Sequence, residues 1–294
     1  MNIKELSGYS LDENTTCIQV SGQDSETFLQ GQFSNDITHV TESTYQYSSY
    51  STNQGKVISI FRIIREKQSY LLLVNKNIAE YFIERLSMYI LMSKVNINRL
   101  ENYKVYGVCG KAAEKLLSNN HIKENGYLQN EKNHIINNNN KHLPAVMIIQ
   151  RDVNNEIKDL IAEYEELSFN VNELIDNLLL LPRISMITKE TYIPQVLNLE
   201  DLNGINYKKG CYTGQEIVAR THYLGKIKKK VFLMTHDNPS VKVGDKIHNN
   251  DGEIVGEIFT SVQNVQGILM CIGVLMLTAR DNIIFTNNTK LNLY

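Results

Sequence analysis

Between residues 44 and 74 the apolar positions fall into three runs separated by polar breaks, and their spacing predicts strands. Tyr45 and Tyr47 alternate within 44–50, which ends at Tyr50, residues 56–64 are β-branched and apolar on both parities, and 69–74 continue the pattern, with Asn53-Gln54-Gly55 as a turn between the first two. That order predicts a meander. The period then lengthens: Ile78, Phe82, Leu86 and Tyr89 form one apolar helical stripe, with Asn77 placed to cap it. An earlier helix is expected from Asp24 through Phe28 and Leu29 to Gly31, where glycine suits a helix end, and a third over 111–117. From 118 to 143 the chain turns polar, with four asparagines in a row at 137–140, and reads as a surface loop or weak hairpin. Strand-like segments return at 145–149 and 157–162. A helical pattern follows over 164–180, with Leu167, Val171, Leu174 and Leu178 on one face.

The last seventy residues change character. Short apolar runs at 231–234, 253–259, 267–277 and 281–285, with a hairpin signal at Asn250-Asp251-Gly252, predict a small all-β domain closed as a barrel. The charged stretch 226–230 separates the two patterns. The chain is therefore expected to be α+β, with a body of mixed sheets and helices over 1–225, in two subdomains, and a C-terminal β-barrel over 226–294.

Composition narrows the classes of function. A net charge of -2 and a pI near 6.4 exclude a general polycation, so any RNA contact has to come from a local patch. The apolar run from Gly267 to Leu277 is eleven residues long, short of the roughly 20 that a spanning helix needs. The start, MNIKELSGYS, lacks the apolar stretch of a secretory leader, which points to the cytoplasm or, in a eukaryote, to an organelle matrix. Four scattered cysteines form no C-x-x-C pair and signal neither a zinc knuckle nor a disulfide framework. Cys17, Cys109 and Cys271 sit in apolar, strand-like surroundings suited to a core thiol.

Cys211 is different. It lies in KKGCYTGQEIVAR (208–220), between Gly210 and Gly214 and ahead of a helix expected from Gln215. Backbone N–H groups at that helix start and nearby cations would favour its thiolate; the plain alternative is a buried cysteine in a tight turn. Glu216 suits the N–H edge of a guanidine-like heterocycle, or is simply a carboxylate favoured in a first helical turn. The wider segment 207–230 holds Lys208, Lys209, Arg220, Lys226, Lys228, Lys229 and Lys230 against Glu216 alone. Such a patch serves phosphates, a polyanionic ligand tail or RNA, and a solvated inter-domain face would show the same run.

These residues resemble a known signature. KKGCYTGQEIVAR is similar to that of the YgfZ family of folate-binding proteins, which is related to the aminomethyltransferase T-protein of the glycine cleavage system. Gly22 with FLQGQFSND (28–36), NQGKV (53–57) and YIPQVLNLEDLNGINYKKG (192–210) resemble further family segments in the same order. The resemblance implies an aminomethyltransferase-like body that binds tetrahydrofolate or a derivative in a central cavity, followed by the barrel. It implies an accessory role in assembly or repair of iron–sulfur enzymes, tRNA-modifying ones among them, with those enzymes or their assembly proteins as partners; the charge of 207–230 makes that segment the place for any tRNA contact. Carried over by position, Cys211 is the acting residue, and Lys209, Tyr212, Gly214, Gln215, Glu216 and Arg220 are cofactor-binding candidates; no metal ligand is expected. A one-carbon transferase and a folate-sensing regulator are the alternatives.

Two departures from the pattern matter. Aminomethyltransferases carry consecutive aspartates in the strand after the glycine turn, where this chain has Ile58 and Ser59, so glycine cleavage activity is not expected. The usual R-I-x-x-G-[IL]-P approach reads Asp176-Asn177-Leu178-Leu179-Leu180-Leu181-Pro182, without its arginine and glycine, which alters one wall of the folate pocket.

Overall fold

A computed structural model describes residues 3–123, 126–129, 133–138, 143–151, 161 and 163–294. Antiparallel strands make three sheets. The first contains β1 (Gly8–Leu11), β7 (Tyr103–Cys109), β10 (Ala145–Arg151), β9 (Asn133–Asn137) and β8 (Tyr127–Gln129), in that spatial order. The second has the order β3 (Gln46–Ser51), β4 (Val57–Glu66), β5 (Ser69–Asn75), β2 (Thr15–Ser21) and β6 (Asn96–Leu100). Its first three strands are the predicted meander.

The double parity of β4 and β5 has a packing cause. One face of the second sheet is covered by α1 (Ser25–Gln30) and α2 (Ala79–Ser87) around Phe33, Tyr50, Phe61 and Phe82. The other face meets the first sheet, where Ile64, Leu71 and Leu73 pack on Val105, Met147 and Ile149. A sheet buried on both faces has no use for alternating polarity. The first sheet is covered on its far side by α3 (Lys111–Asn119) through Ala112, Ala113 and Leu116.

The third sheet comprises β11 (Lys229–His236), β12 (Lys246–His248), β13 (Ile254–Ile258), β14 (Gln263–Val265), β15 (Ile268–Met276), β16 (Ile284–Thr286) and β17 (Thr289–Leu293). Strands pair in the order β11, β17, β16, β12, β13, β15, and β15 returns to β11, closing a six-stranded barrel. Closure removes both edges and encloses Met234, Ile247, Ile258, Cys271 and Leu275.

Helix predictions needed two corrections. The pattern over 164–180 yields only α4 (Val171–Leu178), capped by Asn170; Leu167 precedes it in extended backbone, its N–H bonded to Tyr9 O while Glu166 bridges Tyr9. Pairing with β1 outcompetes a helical spacing that is apolar but uncapped upstream. Asn77 does not cap α2: a short 3₁₀ turn over Lys76–Ile78 precedes it, capped by Asn75, and Asn77 Oδ1 accepts from Met186 N. The expected end of α1 at Gly31 is observed, in right-handed geometry. The strand expected at 157–162 lies outside the described residues except for Ile161, which is helical, and the asparagine run is described only at Asn137 and Asn138. Among the described residues no helix is long and apolar enough to cross a membrane.

Candidate functional site

Sequence segments far apart in the chain converge on the loop before α5 (Gln215–Leu224). Lys209 is buried and carries its ammonium into the loop after α1, where Nζ donates to Gln30 O at 2.8 Å, Phe33 O at 2.7 Å and Asn35 O at 2.9 Å. All three donors are thereby used. Burial lowers the Lys209 pKa to about 8, partly offset by Asp36. Thr213 fixes the other end of the loop, with N donating to Gly31 O and Oγ1 to Gln32 Oε1. Ser34 Oγ and Asn35 Nδ2 donate to Gly204 O and Asn203 O, tying the same loop to the 192–210 segment. Gln195 Nε2 reaches Val218 O at 2.7 Å on α5.

The glycine turn of NQGKV touches the signature directly. Gly214 has φ +83°, and a Cβ there would stand 2.5 Å from Thr52 O and 2.9 Å from Gly55 Cα; Gly55, at φ +71°, would meet Ile217 and Gly214 O in return. Backbone meets backbone only because both residues lack a side chain. Gly210 is different: nothing lies within 4 Å of its Cβ position, so it leaves room beside Cys211 instead of permitting a close approach.

Cys211 itself is exposed, which excludes the buried-turn alternative. The other three thiols are buried. Burial pushes each of them up to about 12, with Glu66 and Asp12 adding to Cys17, and a Gly8 backbone hydrogen bond opposing the rise at Cys109. Tyr212 is buried under the Lys209 ammonium, 5.1 Å from its ring centroid, and its hydroxyl has no hydrogen-bond partner among the described residues. Gln215 is half-buried at the start of α5, while Glu216 and Arg220 are exposed on it. Ile58 and Ser59 are buried, and Ser59 Oγ donates to Ile60 O.

A second cluster, not read from the sequence, lies where the first two sheets meet α4. Arg62 of β4 donates through Nη2 to Asp176 Oδ1 at 2.5 Å and Asn138 Oδ1 at 3.1 Å. Arg183 Nε donates to Asp176 Oδ2 at 2.7 Å, and its Nη1 and Nη2 grip both oxygens of Asp12. Burial alone would raise the Asp12 pKa, but Arg183 and hydrogen bonds from Asn170 and Thr15 outweigh it and hold the carboxyl at about 2. Asp176 is thus the link between two guanidinium groups.

A folate heterocycle needs flat walls and unspent donors and acceptors. Around this cluster Tyr45 and Tyr47 supply rings, and Arg62 Nε and Asn138 Nδ2 are buried donors without a partner among the described residues; both Asp176 oxygens already accept, from Arg62 and Arg183. That set fits a ring edge. Space is the constraint: the cavity between Arg62, Asp176, Arg183, Ile60 and Leu73 has a volume of about 20 Å³, enough for a water. Ligand pockets are usually a few hundred Å³. A heterocycle therefore enters only if this cavity widens. The large groove, of about 1360 Å³, lies elsewhere, over the Tyr127–His134–Glu66 hydrogen-bond chain.

No protein-family model matches the chain. Proteins described as tRNA-modifying protein YgfZ are similar to it. The one from Vibrio vulnificus strain CMCP6 is 29% identical over 230 residues, covering 77% of this chain and 69% of that protein. The one from Colwellia psychrerythraea is 30% identical over 223 residues, 74% and 68% of the two chains. That of Buchnera aphidicola subsp. Baizongia pistaciae is 30% identical over 240 residues, 78% and 74%. Among solved structures, the glycine cleavage system aminomethyltransferase T from Bartonella henselae matches with a TM-score of 0.73 over 98% of this chain and 85% of that one. At 13% identity this is a likeness of fold, and it agrees with an aminomethyltransferase-like α+β body followed by a β-barrel. With relatives at 30% identity matched over more than two thirds of their length, the chain belongs to the YgfZ family.

Proposed function

We propose that this chain is a cytoplasmic, folate-binding accessory protein that supports assembly or repair of iron–sulfur enzymes, tRNA-modifying ones included, with Cys211 as its acting thiol. The observation that carries this reading is the contrast among cysteines: three are buried with raised pKa values, and the fourth is exposed in the loop on which the family's segments converge. Family membership supports the accessory role, since the relatives are described as tRNA-modifying proteins.

In this reading the signature residues divide their work. Lys209 and Gly214 hold the loop; Tyr212 and Gln215 lie behind it; Cys211, Glu216 and Arg220 face outward toward a client. Folate, when bound, supplies a one-carbon carrier, and Arg62, Asn138, Asp176, Tyr45 and Tyr47 would hold its heterocycle. The body spans 1–225 and the barrel 226–294. Aminomethyl transfer is disfavoured, because buried Ile58 and Ser59 offer no acid for the proton that this chemistry moves.

The test is deletion of the gene, scored by the activity of iron–sulfur enzymes and complemented with wild-type and Cys211→Ala chains, alongside calorimetric titration of tetrahydrofolate. Wild-type is expected to restore activity and Cys211→Ala to fail while binding folate normally. Full rescue by Cys211→Ala contradicts the role of the thiol, and absence of folate binding at millimolar ligand contradicts the cofactor.

A further inference from the structure

We infer that the outer face of α5 and the segment leading from it form a stacking platform for single-stranded RNA. This rests on the reading that the basic segment 207–230 contacts tRNA, and it gives that contact a chemistry. Spacing in the sequence hides the aromatic part, because Tyr207 lies fifteen residues before His222. In the fold their rings stack at 3.8 Å and 19°, and Tyr223 stands edge-on to His222 at 4.8 Å and to Tyr207 at 6.2 Å. Glu200 fixes the inner end through His222 Nδ1 at 2.5 Å. The outer end is bare: Tyr223 is 66% exposed and Leu224 83%. Rings braced on one side and open on the other lose little freedom when a base stacks on them.

Charge completes the argument. Lys208, Arg220, Lys226 and Lys228 are exposed and make no ion pair among the described residues. The neighbouring acids are mostly spent: Glu200 on His222 and Asp201 on Lys230, leaving Glu216 at the opposite end of α5. An acidic protein face would satisfy the cations but leave the rings without a partner. An apolar face would do the reverse. A strand that alternates phosphate and base satisfies both at once.

The experiment is fluorescence anisotropy of a labelled oligouridylate of about 12 nucleotides, titrated between about 50 and 200 mM salt with an unlabelled RNA duplex as competitor. With three to four phosphates engaged, the logarithmic salt slope is expected near −2 to −3, at about 0.7 per phosphate. Tyr223→Ala is expected to weaken binding by about fivefold or more, since a stacked base contributes at least ~1 kcal/mol. Joint Lys226→Gln and Lys228→Gln should flatten the slope by about 1.4. The duplex should compete poorly. Absence of salt-sensitive binding overturns the proposal, as does Tyr223→Ala binding like wild-type. So does a patch variant that keeps RNA affinity but loses capture of a purified iron–sulfur tRNA-modifying enzyme, because the face would then be a protein dock. Cys211→Ala should bind RNA normally, so failure of the platform and failure of the thiol reading show in different assays.

Discussion

Two polar regions lie close to the same β-meander and use their groups in opposite ways. At the centre, buried Asp12, Arg62 and Asp176 and half-buried Arg183 are bonded to one another, and they join two sheets to α4. At the signature loop one buried ammonium and a glycine–glycine contact do the holding, and a thiol is left facing solvent. The first region spends its chemistry on structure. The second spends backbone contacts on structure and keeps a reactive atom free.

Breaking the central cluster should cost most. Asp176→Ala strands the buried Arg62 guanidinium without a carboxylate, while Arg183 keeps Asp12, and the expected loss is about 3–5 kcal/mol in denaturant unfolding. The exposure of Cys211 to alkylating agent below the transition should stay unchanged. If stability is unaltered, the cluster does not join the layers. Lys209→Met should come next, at about 2–3 kcal/mol, because it leaves three buried carbonyls without their charged donor; unlike the central variant it should also loosen the 209–214 loop, seen as faster amide exchange there. Gly214→Ala forces a Cβ against Thr52 O at a left-handed φ, with an expected cost of about 1–3 kcal/mol.

Acid separates the regions more gently. The folded Asp12 pKa, about 2, lies below its ordinary 3.8, so its contribution is complete above pH 4 and is lost as pH falls through 2. Over that window unfolding free energy should drop by about 2 kcal/mol on account of this group. Asp12→Asn should remove that part of the acid dependence, and an unchanged profile would show that Arg183 does not depress it.

The sequence disclosed the two regions unequally. Strands β4 and β5, the stripe on α2 and the barrel follow from local periodicity, and the Cys211 loop stood out through its glycines and thiol. Lys209, however, reads in the sequence as one cation of a basic patch, and only the tertiary fold shows it sunk among carbonyls that come from 179, 176 and 174 residues away. Asp176 registered as a departure from a pattern, because its partners Arg62 and Arg183 sit on different elements and no spacing rule links them. Leu167 fitted a helical period yet pairs with β1, since a backbone ladder is invisible to side-chain spacing.

The claim at the centre is that the fold presents one thiol and shields three. Alkylation of the folded protein, followed for each cysteine peptide by mass spectrometry across pH, measures this directly. The account predicts that Cys211 reacts in the native state while Cys17, Cys109 and Cys271 react only after denaturant is added. If Cys211 reacts no faster than the other three in the folded protein, the loop does not offer a usable thiol and the proposed chemistry is wrong.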